Sequence, residues 1–146
     1  MTLGKGLTNV LVIDDSDAAR AAIASLLRAG GFGVFELSSA IGATRTILRN
    51  DVKAAIVDLS MPGLSGDKLV GLLRSNSKLE NLTIIVVSGQ RGDDLANIGR
   101  DCDVDGVLSK RDINVRLIPL LDSLLRGQRS ATFRRGRLVA NQGNQE

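Results

Sequence analysis

Histidine, tryptophan and tyrosine are absent from the 146 residues. Without an imidazole there can be no Ser–His or Cys–His nucleophile and no histidine-ligated metal centre, which leaves acids, hydroxyls and lysine for any chemistry. Only 2% of the chain is aromatic against 43% hydrophobic, so the core must be aliphatic. The single cysteine, Cys102, cannot close an internal disulfide, which points to a reducing cytoplasm. Its acidic neighbours disfavour the thiolate, so it reads as inert. No apolar run approaches membrane-spanning length, and the first nine residues are too short and polar for a signal peptide. A soluble protein that does not engage a membrane is expected.

The net charge of +3 conceals an asymmetry. Residues 1–125 carry 14 Lys/Arg against 15 Asp/Glu (net −1), whereas residues 126–146 carry five Arg against Glu146 (net +4). The chain therefore divides into an N-terminal extension over 1–8, one domain over 9–126 and a basic tail over 127–146. The tail is rich in Arg, Gln, Asn and Gly, and it is expected to be mostly disordered. It lacks aromatic interleaving and a recognition helix, so a solvated tail is favoured over a nucleic-acid contact.

What is present is an alternation of short apolar runs with amphipathic stretches. Asn9–Ile13, Gly33–Leu37, Ala54–Asp58, Leu82–Val87 and Gly106–Leu108 read as strands. Helices are expected over Ser16–Ala29, Ala40–Arg49, Gly66–Ser75, about Gly92–Arg100 and about Ile113–Arg126. Ser16 or Asp15 is expected to cap the first helix and Ser38 or Ser39 the second, with Leu69, Leu72 and Leu73 on one face of the third. Pro119 strains the last helix, where an interior proline costs about 3 kcal/mol, so a later start near Asn114 or a bend is expected. The runs VLVI, AAIV and TIIVV are continuous, as in strands buried on both faces of a parallel sheet. The expected fold is α/β: a flavodoxin-like, doubly wound (βα)5 domain with a parallel five-stranded sheet in order 2-1-3-4-5.

That order gathers Asp14, Asp15, Asp58, Ser88 and Lys110 on one rim, outside the carboxyl ends of the strands where ligands of such sheets collect. Three adjacent carboxylates repel by roughly 4 kcal/mol per pair at 4 Å and an effective dielectric of 20. A cation that neutralises them and takes all-oxygen ligands with open positions is Mg²⁺. A lysine and a hydroxyl beside it suit the equatorial oxygens of a phosphoryl group. With no histidine in the chain, and neither a cysteine nor a base-activated serine available on this rim, one of the carboxylates must be the acceptor. Simple capping of helices and turns is the alternative for any one acid, and it does not account for all five residues.

These residues resemble a known family. Asp14-Asp15, Asp58 followed by Met61-Pro62-Gly63 and Gly66, Ser88-Gly89 and Lys110 are similar to the receiver domain of two-component response regulators, over about residues 8–126. The resemblance implies a stand-alone, single-domain response regulator that takes a phosphoryl group on Asp58 from a histidine kinase or phosphotransfer protein. It implies direct Mg²⁺ ligation by Asp15, Asp58 and the Ser60 carbonyl, with Asp14 acting through water and Ser88 and Lys110 holding phosphoryl oxygens. It also implies output to a downstream protein effector, with the face of the fourth and fifth helices and the fifth strand as the contact surface for a partner or a second copy. No enzymatic turnover is implied beyond Mg²⁺-dependent auto-dephosphorylation. Ser60 and Gln90 stand where the family tunes acyl-phosphate lifetime.

Two positions depart from the family. Val107 replaces the usual aromatic three residues before the lysine, and Arg111 replaces the proline that follows it through a cis bond. A cis bond without proline costs about 2.5–4 kcal/mol, so a trans bond is expected at Arg111. Three further readings compete. Asp101–Asp112 matches the EF-hand template D-x-D-x-D-G, but Asp stands where a bidentate Glu is needed, so an acidic turn is expected. A haloacid-dehalogenase-type phosphohydrolase could use Asp15-Ser16-Asp17, Ser88 and Lys110, yet it lacks a later acidic pair and leaves Asp58 idle. A receiver-like interaction module without phosphorylation is favoured slightly by Val107 and opposed by the intact acceptor set.

Overall fold

The computed structural model describes residues 6–61, 66–89 and 103–127. Five strands, β1 (Asn9–Ile13), β2 (Gly33–Leu37), β3 (Val52–Asp58), β4 (Thr83–Ser88) and β5 (Gly106–Ser109), form one sheet in the order β2-β1-β3-β4-β5. Every pairing is parallel. Four helices are described: α1 (Asp17–Ala29), α2 (Ala43–Arg49), α3 (Gly66–Arg74) and α4 (Ile113–Gly127). The last corresponds to the fifth expected helix. The polar helix expected near 92–100, the tail beyond residue 127, Pro62, Gly63, Gln90 and Cys102 lie outside the described residues.

The continuous apolar runs serve two cores, because successive side chains of a strand point to opposite faces. Leu11, Ile13, Ala55, Val57, Ile84 and Val86 pack with α2 and α3 through Ala43, Ile47, Leu69, Val70 and Leu73. Their neighbours Val10, Val12, Ala54, Ile56, Ile85 and Val87 pack with α1 and α4 through Ile23, Leu27, Ile113, Leu117 and Leu121. The sheet is thus covered on both sides, as the runs require.

Local departures have local causes. The Ser16 hydroxyl caps α1 by accepting from the Ala19 N–H at 3.2 Å, and the helix ends at Gly30 with Gly31 at φ +92°, a conformation glycine adopts freely. Helix α2 starts at Ala43, three residues later than expected, and neither Ser38 nor Ser39 caps it. Gly42 at φ +84° precedes it, while the Ser39 hydroxyl closes a turn on the Ile41 N–H. Leu72 is 56% exposed, so the buried face of α3 is Leu69, Val70 and Leu73. A one-turn 3-10 helix at Ser77–Leu79, capped by Asn76, leads into β4 and was not anticipated.

Helix α4 runs through Pro119 without a later start. Pro119 is exposed, and Val115, whose carbonyl loses its helical partner, lies on the same solvent side, where water can accept that role. The acidic turn before β5 is clasped by Arg74. Its guanidinium donates to the carbonyls of Leu82 (2.7 Å) and Asp103 (2.9 Å) and to Asp105 Oδ2 (2.9 Å). The same Asp105 oxygen accepts the Ile84 N–H at 2.8 Å, so this carboxylate is engaged in joining β4, β5 and the end of α3.

Candidate functional site

Strand register brings the acids together. Ile13 pairs with Val57, so Asp14 and Asp58 are the next residues out on neighbouring strands. Asp58 pairs with Val87, and Ser88, one step further, pairs with Ser109 beside Lys110. Asp14, Asp58 and Ser88 are buried, whereas Asp15 is exposed at the mouth.

Lys110 reaches back over the strand ends to both buried acids, with Nζ 3.3 Å from Asp58 Oδ1 and 3.4 Å from Asp14 Oδ2. Burial opposes its charge, but the Asp58 and Asp14 carboxylates outweigh that penalty and hold the ammonium above its ordinary value of 10.5. Ser109 caps the turn that carries the lysine by accepting from the Arg111 N–H at 3.3 Å. The Lys110–Arg111 bond is trans, as are all the described peptide bonds.

Backbone donors orient the carboxylates. The Ser16 N–H donates to Asp14 Oδ1 at 2.9 Å and the Ser60 N–H to Asp58 Oδ1 at 3.2 Å. Carboxylate oxygens of Asp14, Asp15 and Asp58 lie within 4.8 Å of one another. Asp14 Oδ2 is buried and has no hydrogen-bond donor among the described residues, only the longer ion pair to Lys110. A hard, oxygen-seeking dication satisfies such a set, because it offsets the mutual repulsion and fills the coordination that Asp14 lacks.

The structure therefore converges Asp14, Asp15, Asp58, Ser60, Ser88 and Lys110 on one rim. Val107 is half-buried against the α2–α3 core, so an aliphatic side chain stands where the aromatic was missed. Arg20 was not anticipated: it donates to the Asp14 carbonyl at 2.8 Å from the second turn of α1. Its spacing of three from Asp17 signalled a helical ion pair, but nothing in the sequence signalled a bond to backbone.

The model of the response regulator receiver domain family matches residues 10–121. The chain belongs to this family. Among curated relatives, a gliding motility regulatory protein of Myxococcus xanthus is 28% identical over 109 residues, 75% of this chain and 14% of that protein. A chemotaxis protein CheY homolog of Campylobacter jejuni is 36% identical over 85 residues, 57% of this chain and 65% of that one. The chain thus spans less than two thirds of either relative. A solved sensor protein of a Polaromonas species superposes with a TM-score of 0.75 at 27% identity, covering 83% of this receiver and 98% of that chain.

Proposed function

We propose that this receiver domain works in a phosphorelay, taking a phosphoryl group on Asp58 from a histidine kinase or phosphotransfer protein. The observation that carries the reading is the Lys110 ammonium bridging Asp58 and Asp14 at 3.3 and 3.4 Å inside a three-carboxylate cluster. In the transfer, an Asp58 carboxylate oxygen forms the new P–O bond as the P–N bond to the donor imidazole breaks, and the imidazole leaves with a proton. Lys110 supplies positive charge to an equatorial oxygen, and the Ser88 hydroxyl donates to another. Asp14, Asp15, Asp58 and the Ser60 carbonyl are the groups that would hold Mg²⁺. When bound, the ion supplies charge neutralisation for acceptor and phosphoryl group alike.

The product acyl phosphate carries about −1.5 to −2 charge where the carboxylate carried −1, at the buried end of β3, and output passes to a protein effector through displacement of the Ser88 hydroxyl at the β4 end. No enzymatic turnover beyond Mg²⁺-dependent loss of the phosphoryl group belongs to this reading. A cytoplasmic location fits it, and no helix among the described residues is long and apolar enough to cross a membrane.

Incubation with acetyl phosphate and Mg²⁺, followed by intact mass measurement, tests the assignment. One added phosphoryl group is expected in the wild type and none in Asp58→Asn. A wild type that never gains mass supports the second reading, a phosphorylation-independent interaction module, which the aliphatic Val107 favours. Sustained phosphatase turnover that survives Asp58→Asn but not Asp15→Asn supports a haloacid-dehalogenase-type hydrolase.

A further inference from the structure

We propose that Arg20 is a positioning residue for the acid pair Asp14-Asp15, setting the affinity of the rim for its divalent cation through geometry rather than charge. The inference rests on the reading of that rim as a Mg²⁺ site. The Arg20 side chain is only 16% exposed, and its guanidinium ties together three elements. Nη1 donates to the Asp14 carbonyl at 2.8 Å, at the point where β1 ends. Nη2 donates to Asp17 Oδ1 at 2.6 Å, in the first turn of α1, and Nε faces Glu36 Oε1 at 3.5 Å on β2. Glu36 is held in turn by Arg28 at 3.2 Å.

The turn Asp14-Asp15-Ser16 is otherwise held at its two ends, with the Ser16 hydroxyl accepting from the Ala19 N–H and the Ser16 carbonyl from the Arg20 N–H at 2.9 Å. The Asp14 N–H donates to the Leu37 carbonyl at 3.2 Å and the Ser16 N–H to Asp14 Oδ1, so the strand entry and one carboxylate oxygen are fixed. The peptide plane linking Asp14 to Asp15 is fixed by Arg20. That plane decides whether the Asp15 carboxylate converges on Asp14 and Asp58 or swings to solvent. Arg, with a planar fork of donors, can hold a carbonyl and two carboxylates at once, whereas Lys offers a point charge.

Charge and geometry make opposite predictions here. A cation near a dication site weakens binding by repulsion, so deleting Arg20 raises affinity if only its charge matters. If Arg20 positions the turn, deleting it lowers affinity, by about the 10–100-fold typical of groups that orient metal ligands. The experiment titrates Mn²⁺ into wild type, Arg20→Met and Arg20→Lys, reading free Mn²⁺ by electron paramagnetic resonance and folding by circular dichroism. Acetyl phosphate labelling across Mg²⁺ concentrations provides the second readout.

The expected result is weaker Mn²⁺ binding, about tenfold or more, in both variants. The half-saturating Mg²⁺ should rise in parallel, with the labelling rate at saturation largely restored. Unchanged or tighter binding in a folded variant overturns the proposal. Arg20→Lys keeps the charge and most of the packing, so it decides the matter if Arg20→Met does not fold. A wild type that binds no Mn²⁺ in a manner dependent on Asp15 overturns the metal-site reading itself, an outcome distinct from failure at Arg20 alone.

Discussion

Lys110 is the residue on which the metal-free rim depends, because it faces two buried carboxylates whose other neighbours are each other, exposed Asp15 and the backbone N–H groups of Ser16 and Ser60. Removing one member of a buried pair costs about 3–5 kcal/mol. Lys110 is 34% exposed, so water screens part of that loss and Lys110→Met should cost roughly 1–2 kcal/mol in urea unfolding. The pH dependence has a definite sign. A lysine whose folded value lies above 10.5 contributes its full stabilisation below that pH, and the contribution disappears as pH rises through the folded value. The stability difference between wild type and Lys110→Met should therefore be constant at neutral pH and shrink above about 10.5. Asp14→Asn should act in the opposite direction on the metal-free protein, stabilising it by relieving repulsion while keeping the oxygen that accepts from Ser16. The same change should weaken Mn²⁺ binding, measured by the titration used for Arg20.

At the scale of elements, Arg74 and Pro119 give contrasting predictions. Arg74→Met takes the guanidinium away from the buried Asp105 carboxylate and should cost about 3–5 kcal/mol in chemical denaturation. Pro119→Ala restores a helical hydrogen bond in α4. The gain of about 3 kcal/mol is offset by about 1 kcal/mol of restored unfolded-state freedom, so a net rise near 2 kcal/mol is expected. All five strands were legible in the sequence, since aliphatic runs buried on both faces leave little else for them to be. β3 starts two residues before the visible run because exposed Lys53 interrupts it, beyond the cover of the helices. The start of α2 was misread for a different reason: Ser38 and Ser39 carry capping chemistry, but the chain uses the Gly42 turn instead. The acids, Ser88 and Lys110 were legible because each ends a strand. Arg20 and Arg74 were not, because their partners are backbone carbonyls and acids of other elements, which no local spacing encodes.

For the whole molecule, stability and ligation should be linked. A ligand that binds only the folded state at a hundred times its dissociation constant adds about 2.7 kcal/mol. Saturating Mg²⁺ should therefore raise the melting temperature by several degrees, and Asp15→Asn should abolish the shift. With no tryptophan or tyrosine to report on folding, circular dichroism is the suitable probe. Parallel pairing has a further consequence for encounters with phosphoryl donors. Asp14, Asp58 and Ser88 are fixed by the register of one rigid sheet, and Lys110 is already drawn across them. Little conformational entropy remains to be lost when a donor arrives, so a donor need bring only its phosphoryl group and not a template that assembles the acceptor. Small donors such as acetyl phosphate should then saturate poorly yet react, with a protein donor gaining its advantage from residence time at the rim.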